Sequence, residues 1–117
     1  MARTKSDDPL DLTPTEEIVL YAVRDRERYG LEIIDAIEKA SKASGGSRKI
    51  GFSSLYPTLK KLEEKGFVTS RWGDETPEEL TGARRRYYVI AGEGNRALNA
   101  KEVFLSGLRS VMAIGGI

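Results

Sequence analysis

Residues 51–68, GFSSLYPTLKKLEEKGFV, gather the side chains best suited to touching a polyanion. Leu55, Leu59 and Leu62 recur at spacings of four and three, which on a helix makes one apolar stripe facing a core. Ser53, Pro57, Lys60 and Glu64 fall opposite, with Tyr56 on one flank of that outer face and Ser54 and Lys61 on the other. Small hydroxyls near the helix start and two ammonium groups further along suit a nucleic-acid groove, the first as readers of base edges and the second as phosphate partners. The same pattern also describes an ordinary amphipathic helix with a solvated basic flank. A second cluster is Arg84, Arg85 and Arg86, at the start of RRRYYVI. Three arginines beside a hairpin can seat on phosphates, where each neutralised charge adds affinity that salt removes. The competing role, less favoured because the arginines adjoin the third helix in such a fold, is to keep an edge strand from aggregating.

Other chemistries are hard to build from this chain. It has no cysteine and no histidine, so disulfides, thiolates and the commonest general base and metal ligand are all missing. No nucleophile is paired with a base, and no catalytic residue, metal site or cofactor is expected. The net charge is +1, but nine basic residues face six acidic ones between positions 45 and 90, so the positive excess lies around the two clusters. Residues 1–12 lack the apolar run of a signal peptide, and no stretch approaches the length of a membrane span. A cytoplasmic protein without a membrane partner is the expectation.

The elements that would position these groups can be read in order. The 117 residues suffice for one compact domain with perhaps one appended element. Thr13, Pro14 and Glu16 make a capping box opening a first helix to about residue 24. Its apolar residues Ile18, Val19, Leu20, Ala22 and Val23 cover more than one face, a surplus that suggests a second partner. Residues 25–28 form a polar turn, and a second helix is expected from Gly30 to about Ser41. Residues 44–47 are a flexible break, and Arg48, Lys49 and Ile50 are candidates for a short first strand.

Ser53 or Ser54 is expected to cap the third helix, because Pro57 then removes little from its ladder. Gly66 should close it in a left-handed conformation. Residues 67–72 and 84–90 read as the strands of a hairpin, the second an edge strand with Tyr88 and Ile90 on one face. The loop between them, residues 73–83, carries Asp74, Glu75, Glu78 and Glu79, so its tip should be repelled by phosphates. Residues 92–95 turn the chain into a last helix, from about Asn95 to Met112. Its positions 98, 105, 108 and 112 fit a heptad seam that Phe104 and Val111 widen, more apolar surface than one protruding helix can bury alone. A second copy of the chain would bury it.

The expected fold is mainly α (α+β): a winged helix-turn-helix with a C-terminal dimerisation helix. A flexible arm over residues 1–11 precedes a winged-helix DNA-binding domain over residues 12–91 and the dimerisation helix over residues 92–113. Tyr29-Gly30-Leu31-Glu32-Ile33, Leu55-Tyr56-Pro57, Leu62 with Gly66-Phe67-Val68, and Arg86-Tyr87-Tyr88 stand in an order and spacing that resemble the PadR-type transcriptional regulators. The resemblance spans roughly residues 12–98.

It implies a homodimer held by its C-terminal helix, seating two reading helices on an inverted repeat of double-stranded DNA, usually as a repressor. By position it assigns Tyr29, Ser53, Ser54, Tyr56, Lys60, Lys61, Arg84, Arg85 and Arg86 to DNA. The apolar residues Ile18, Leu98, Phe104, Leu105, Leu108, Val111 and Met112 go to the dimer interface. Ala91 departs from the threonine usual there, the wing loop is acidic, and residues 43–49 run longer than usual. Some relatives respond to a small-molecule effector between subunits. Trp72 lies in the hairpin rather than the last helix, so a planar-ligand pocket is not supported there and the effector is unknown. The competing reading is a winged-helix protein-interaction module that docks through its acidic loop.

Overall fold

The computed structural model describes residues 8, 11–74 and 84–115, the last four as backbone only. Its elements are α1 (Pro14–Ala22), β1 (Arg28–Tyr29), α2 (Gly30–Ala43), α3 (Phe52–Glu64), β2 (Val68–Trp72), β3 (Arg86–Ile90) and α4 (Gly92–Gly115). The fold is mainly helical with one small antiparallel sheet, in the order β1-β3-β2. Most of the expected arm, and residues 75–83 of the acidic loop, lie outside the described residues.

The capping box of α1 and the closing turn of α3 form where their residues call for them. Thr13 Oγ1 accepts from the Glu16 amide and Glu16 Oε1 accepts from the Thr13 amide, each at 3.0 Å, which closes the capping box of α1. Gly66 adopts φ +79°, the Phe67 amide donates to Leu62 and the Gly66 amide to Glu63, so α3 ends in a Schellman turn. Val19, Leu20 and Val23 from the α1 region, Ile33 and Ile37 from α2, and Leu55, Leu59 and Leu62 from α3 form one core, closed by Phe67, Val68, Tyr88 and Leu98. The predicted leucine stripe of α3 is buried in full.

Several boundaries differ from expectation for local reasons. No strand forms at residues 48–50; the short strand is Arg28–Tyr29, whose Cα partners in β3 are Tyr88 and Tyr87. That pairing makes β3 the central strand rather than an edge. α3 begins one residue earlier than expected, with Gly51 as its extended N-cap and no serine cap, since the Gly51 carbonyl already accepts from Ser54 and Leu55. Pro57 therefore sits inside the helix and deprives the exposed Ser53 carbonyl of its usual donor. α1 ends at Ala22, before the expected residue 24, and α2 extends to Ala43.

α4 begins at Gly92, not Asn95, so the GEGN turn forms its first helical residues. Gly94 there lies so close to the start of the hairpin that a Cβ would stand 2.3 Å from the Phe67 carbonyl oxygen. Leu98 is wholly buried within this one chain and offers nothing to a second copy, a correction to its place in the dimer seam. Ile18 is half-buried against the same core, which absorbs most of the surplus on α1. Beyond Leu98, α4 carries Val103, Phe104, Leu105, Leu108 and Val111 exposed, and the Met112 side chain lies outside the described residues. Polar links fix the first half of α4 to α1 and the turn after it: Lys101 to Glu17 at 2.8 Å, the Tyr21 hydroxyl to Glu102 at 2.6 Å, and Arg24 to Asn95, Asn99 and Glu102.

Candidate nucleic-acid interface

Three sequence-distant segments meet on one face. Tyr29 ends β1 and introduces α2, Tyr56 stands on the first half of α3, and Arg84, Arg85 and Arg86 lead into β3; all five line one hollow of about 500 Å³. Trp72, Phe52, Leu31 and Tyr88 are also part of its wall. Ser53, Lys60 and Lys61 are exposed along α3. Ser54 is exposed too, but it borders a different hollow, with Ile18, Ile37 and Arg48, on the side turned toward α1. It therefore stands apart from the aromatic hollow.

The arginines are held rather than free. The guanidinium carbons of Arg84 and Arg86 lie 5.4 and 4.9 Å from the Trp72 ring centre, and that of Arg85 lies 4.7 Å from the ring centre of Tyr29. Tyr29 in turn meets Tyr87 edge-on at 5.5 Å, and Arg71 stacks on Tyr87 at 4.9 Å. A guanidinium resting its face on a ring keeps in-plane N–H donors for a phosphate, and the stack restricts its rotamers in advance. Arg86 is further tied by Nε to Ser70 Oγ at 3.1 Å, while that hydroxyl donates to Glu63 at 2.7 Å. Arg71 pairs two-pronged with Glu27; the hydrogen bond between them holds the Glu27 carboxyl below its ordinary range and raises Arg71. Arg71 is therefore partly neutralised.

Tyr56 is constrained as well. Its ring stacks on Phe52 with centres 5.7 Å apart and planes 9° from parallel, and its hydroxyl lies over Gly30. Phe52, 49% exposed, and Trp72, equally exposed, are the side chains of this hollow that sequence reasoning misses. A helix start at Ser53 leaves Phe52 outside the reading face, and position alone ties Trp72 to nothing but the question of a ligand pocket. The signal that finds Trp72 is antiparallel pairing, which sets it opposite Arg86.

Residues 19–100 match the family described as the transcriptional regulator PadR-like family. The chain belongs to that family. The PadR-like family is one of transcriptional regulators, not of enzymes. An uncharacterised protein of Lysinibacillus sphaericus is 30% identical over 84 residues, covering 72% of this chain and 71% of its own. Among solved structures, a PadR-like transcription factor from Bacteroides fragilis superposes with a TM-score of 0.68 at 21% identity, over 85% of this chain and 86% of that one, a likeness of fold. Bacillus subtilis PadR in complex with operator DNA matches with a TM-score of 0.61 at 26% identity, over 77% of this chain and 47% of that one. A PadR family regulator from Eggerthella lenta is 27% identical, with a TM-score of 0.58, over 85% of this chain and 78% of its own. In this PadR-like chain no described helix is long and apolar enough to cross a membrane.

Proposed function

We propose that the chain is a sequence-specific DNA-binding repressor that acts as a homodimer on an inverted repeat. The observation that carries this reading is the convergence of Tyr29, Tyr56 and Arg84–Arg86 on one concave face beside the exposed outer side of α3. α3 enters the major groove, with Ser53, Tyr56 and Lys60 turned toward it and Lys61 on the flank, while the stacked arginines hold the phosphates between that groove and the wing. Ser54, on the α1 side of α3, contacts the duplex at the edge of the footprint. The Bacillus subtilis relative bound to operator DNA supports the choice of partner.

The C-terminal helix supplies the dimer. Its second half exposes Phe104, Leu105 and Leu108, with Val103 at 71% and Val111 at 65% exposure, and such a run on a helix projecting from the body needs a cover. The domain division follows: the winged-helix domain reads and the last helix pairs two readers.

Selection of binding sites from a random duplex pool, with the mass in solution measured alongside, tests both parts. An enriched inverted repeat bound by a two-chain species is expected, and Leu108→Glu should reduce the mass to one chain while weakening operator binding. A folded protein that enriches no sequence and shows no salt-dependent duplex binding would sink the reading.

A further inference from the structure

We propose that the loop between α2 and α3 holds a second seat for the DNA backbone, in which Arg48 and Lys49 bind phosphates across the major groove from the wing arginines. The inference rests on the function proposed above and extends its contact surface to a flank of α3 that the wing does not reach. Between Glu38 and Glu63 the sequence carries Lys39, Lys42, Arg48, Lys49, Lys60 and Lys61 and no carboxylate residue. Lys39 and Lys42 are paired within α2, with Asp35 at 3.0 Å and Glu38 at 3.3 Å. Arg48 and Lys49 are exposed and meet no carboxylate among the described residues, so their charge is uncompensated there.

The loop is held at both ends. Gly45 turns it with φ +85°, and the amides of Gly45 and Gly46 donate to the Lys42 and Ser41 carbonyls at the end of α2. The Ser44 hydroxyl donates to the same Ser41 carbonyl, and the Ser41 hydroxyl accepts from the Arg48 amide at 2.7 Å. Gly46 lies so close to that hydroxyl that a Cβ would stand 3.0 Å from it. At the other end Ile50 packs against the core. Arg48 and Lys49 are therefore set between two anchors, which lowers the entropy lost when they meet a phosphate.

Both cations border a hollow of about 140 Å³ that also takes in the hydroxyl residues Thr15 and Ser54 and the apolar Ile18 and Ile37. That is well below the size of a small-molecule site and suits a single phosphate group. Ser54 and Tyr56 stand two residues apart on α3, about 200° around its axis, so this hollow and the aromatic hollow of the wing arginines lie on opposite flanks. Ser53, Pro57 and Lys60 are exposed between them. A helix seated in the major groove has one phosphate backbone along each side. The wing arginines take one, and Arg48 and Lys49, with the Ser54 hydroxyl, take the other. Such contacts position the helix and add affinity without reading sequence.

The test compares the parent with Arg48→Gln/Lys49→Gln and, as a charge control, with Lys39→Gln/Lys42→Gln, each titrated with the selected duplex and with a scrambled one over a range of salt. The loop variant should bind both duplexes roughly tenfold more weakly, with the slope of log affinity against log salt smaller by about two. The control, which removes charges already paired within α2, should stay close to the parent. Ethylation of single phosphates locates the contacts: the loop variant should become insensitive on one border of the major groove and stay sensitive on the border where Arg84→Gln loses sensitivity. An unchanged salt slope, an equal loss in the control, or insensitivity on the same border as Arg84→Gln would overturn the loop seat and leave the DNA reading standing. A parent without salt-dependent duplex binding would overturn the DNA reading, and this inference with it.

Discussion

The hydroxyl of Tyr56 lies against Gly30, where an added Cβ would stand 2.2 Å from that oxygen and 2.9 Å from Cζ. The first residue of α2 is a glycine because the third helix lays a tyrosine over it. Tyr56 is 43% exposed, so its ring can swing outward if the space closes. Gly30→Ala should therefore cost only about 1 kcal/mol of stability, the small end of overpacking, yet weaken operator binding by moving Tyr56. Adding Tyr56→Phe should recover only part of the stability, because Cζ stays within 2.9 Å of the new Cβ, and should not recover affinity. Denaturant midpoints and duplex titrations on the three proteins check this; unchanged affinity in Gly30→Ala would remove Tyr56 from the interface.

Trp72 carries two of the arginines assigned to phosphates. Trp72→Ala should lower duplex affinity roughly five- to tenfold by removing the ring that restrains both guanidinium groups, while Trp72→Phe retains most of it. The slope of affinity against salt should stay nearly constant, because the charges remain. As the chain's single tryptophan it also reports directly, and its fluorescence should change when operator binds.

Lys65 and Glu16 form an ion pair at 3.2 Å with side chains 11% and 6% exposed. Lys65→Met should destabilise by about 3 kcal/mol, because it strands a carboxylate in the interior. Glu16→Gln added to it should restore part of the loss, although the capping box then weakens. Equal midpoints for the parent and Lys65→Met would show that water reaches the carboxylate.

Gly94 meets backbone rather than a movable side chain: a Cβ there would stand 2.3 Å from the Phe67 carbonyl oxygen and 2.9 Å from Ile90 Cγ1. Gly94→Ala should cost about 2–3 kcal/mol, as α4 must lift from the hairpin. Thermal unfolding would show it, and a neutral outcome would mean that α4 docks less closely than this contact requires.

Tyr21 is pushed up to about 12, first by burial and then by its hydrogen bond to Glu102. A group raised above its unfolded value of 10.0 contributes fully below that pH. Its contribution is lost as pH rises from there toward 12, since the unfolded chain ionises first. Tyr21→Phe should flatten that part of the alkaline stability profile, measured by denaturant midpoints across the window. Parallel profiles would place the tyrosine outside the linkage.

Periodicity and punctuation carry most of the fold. The leucine stripe, the Thr13 capping box and the Gly66 turn are local: each is settled by residues within a few positions, so each is legible in the sequence. The exposed face of α3 follows from the stripe, since burying Leu55, Leu59 and Leu62 turns Ser53 and Lys60 outward.

What only the tertiary structure decided depends on distant partners. Nothing near Arg28 and Tyr29 marks a strand, which exists because β3 runs alongside it. Leu98 has the spacing of a dimer seam, yet the core beneath it claims it, and periodicity cannot tell one buried environment from another. Gly94 has the neighbours of a turn residue and is instead the contact that lets α4 approach the hairpin. The arginines are visible in the sequence as charges, but that they rest on Trp72 and Tyr29 follows from strand register and from the closeness of β1 to the wing, which no linear spacing encodes.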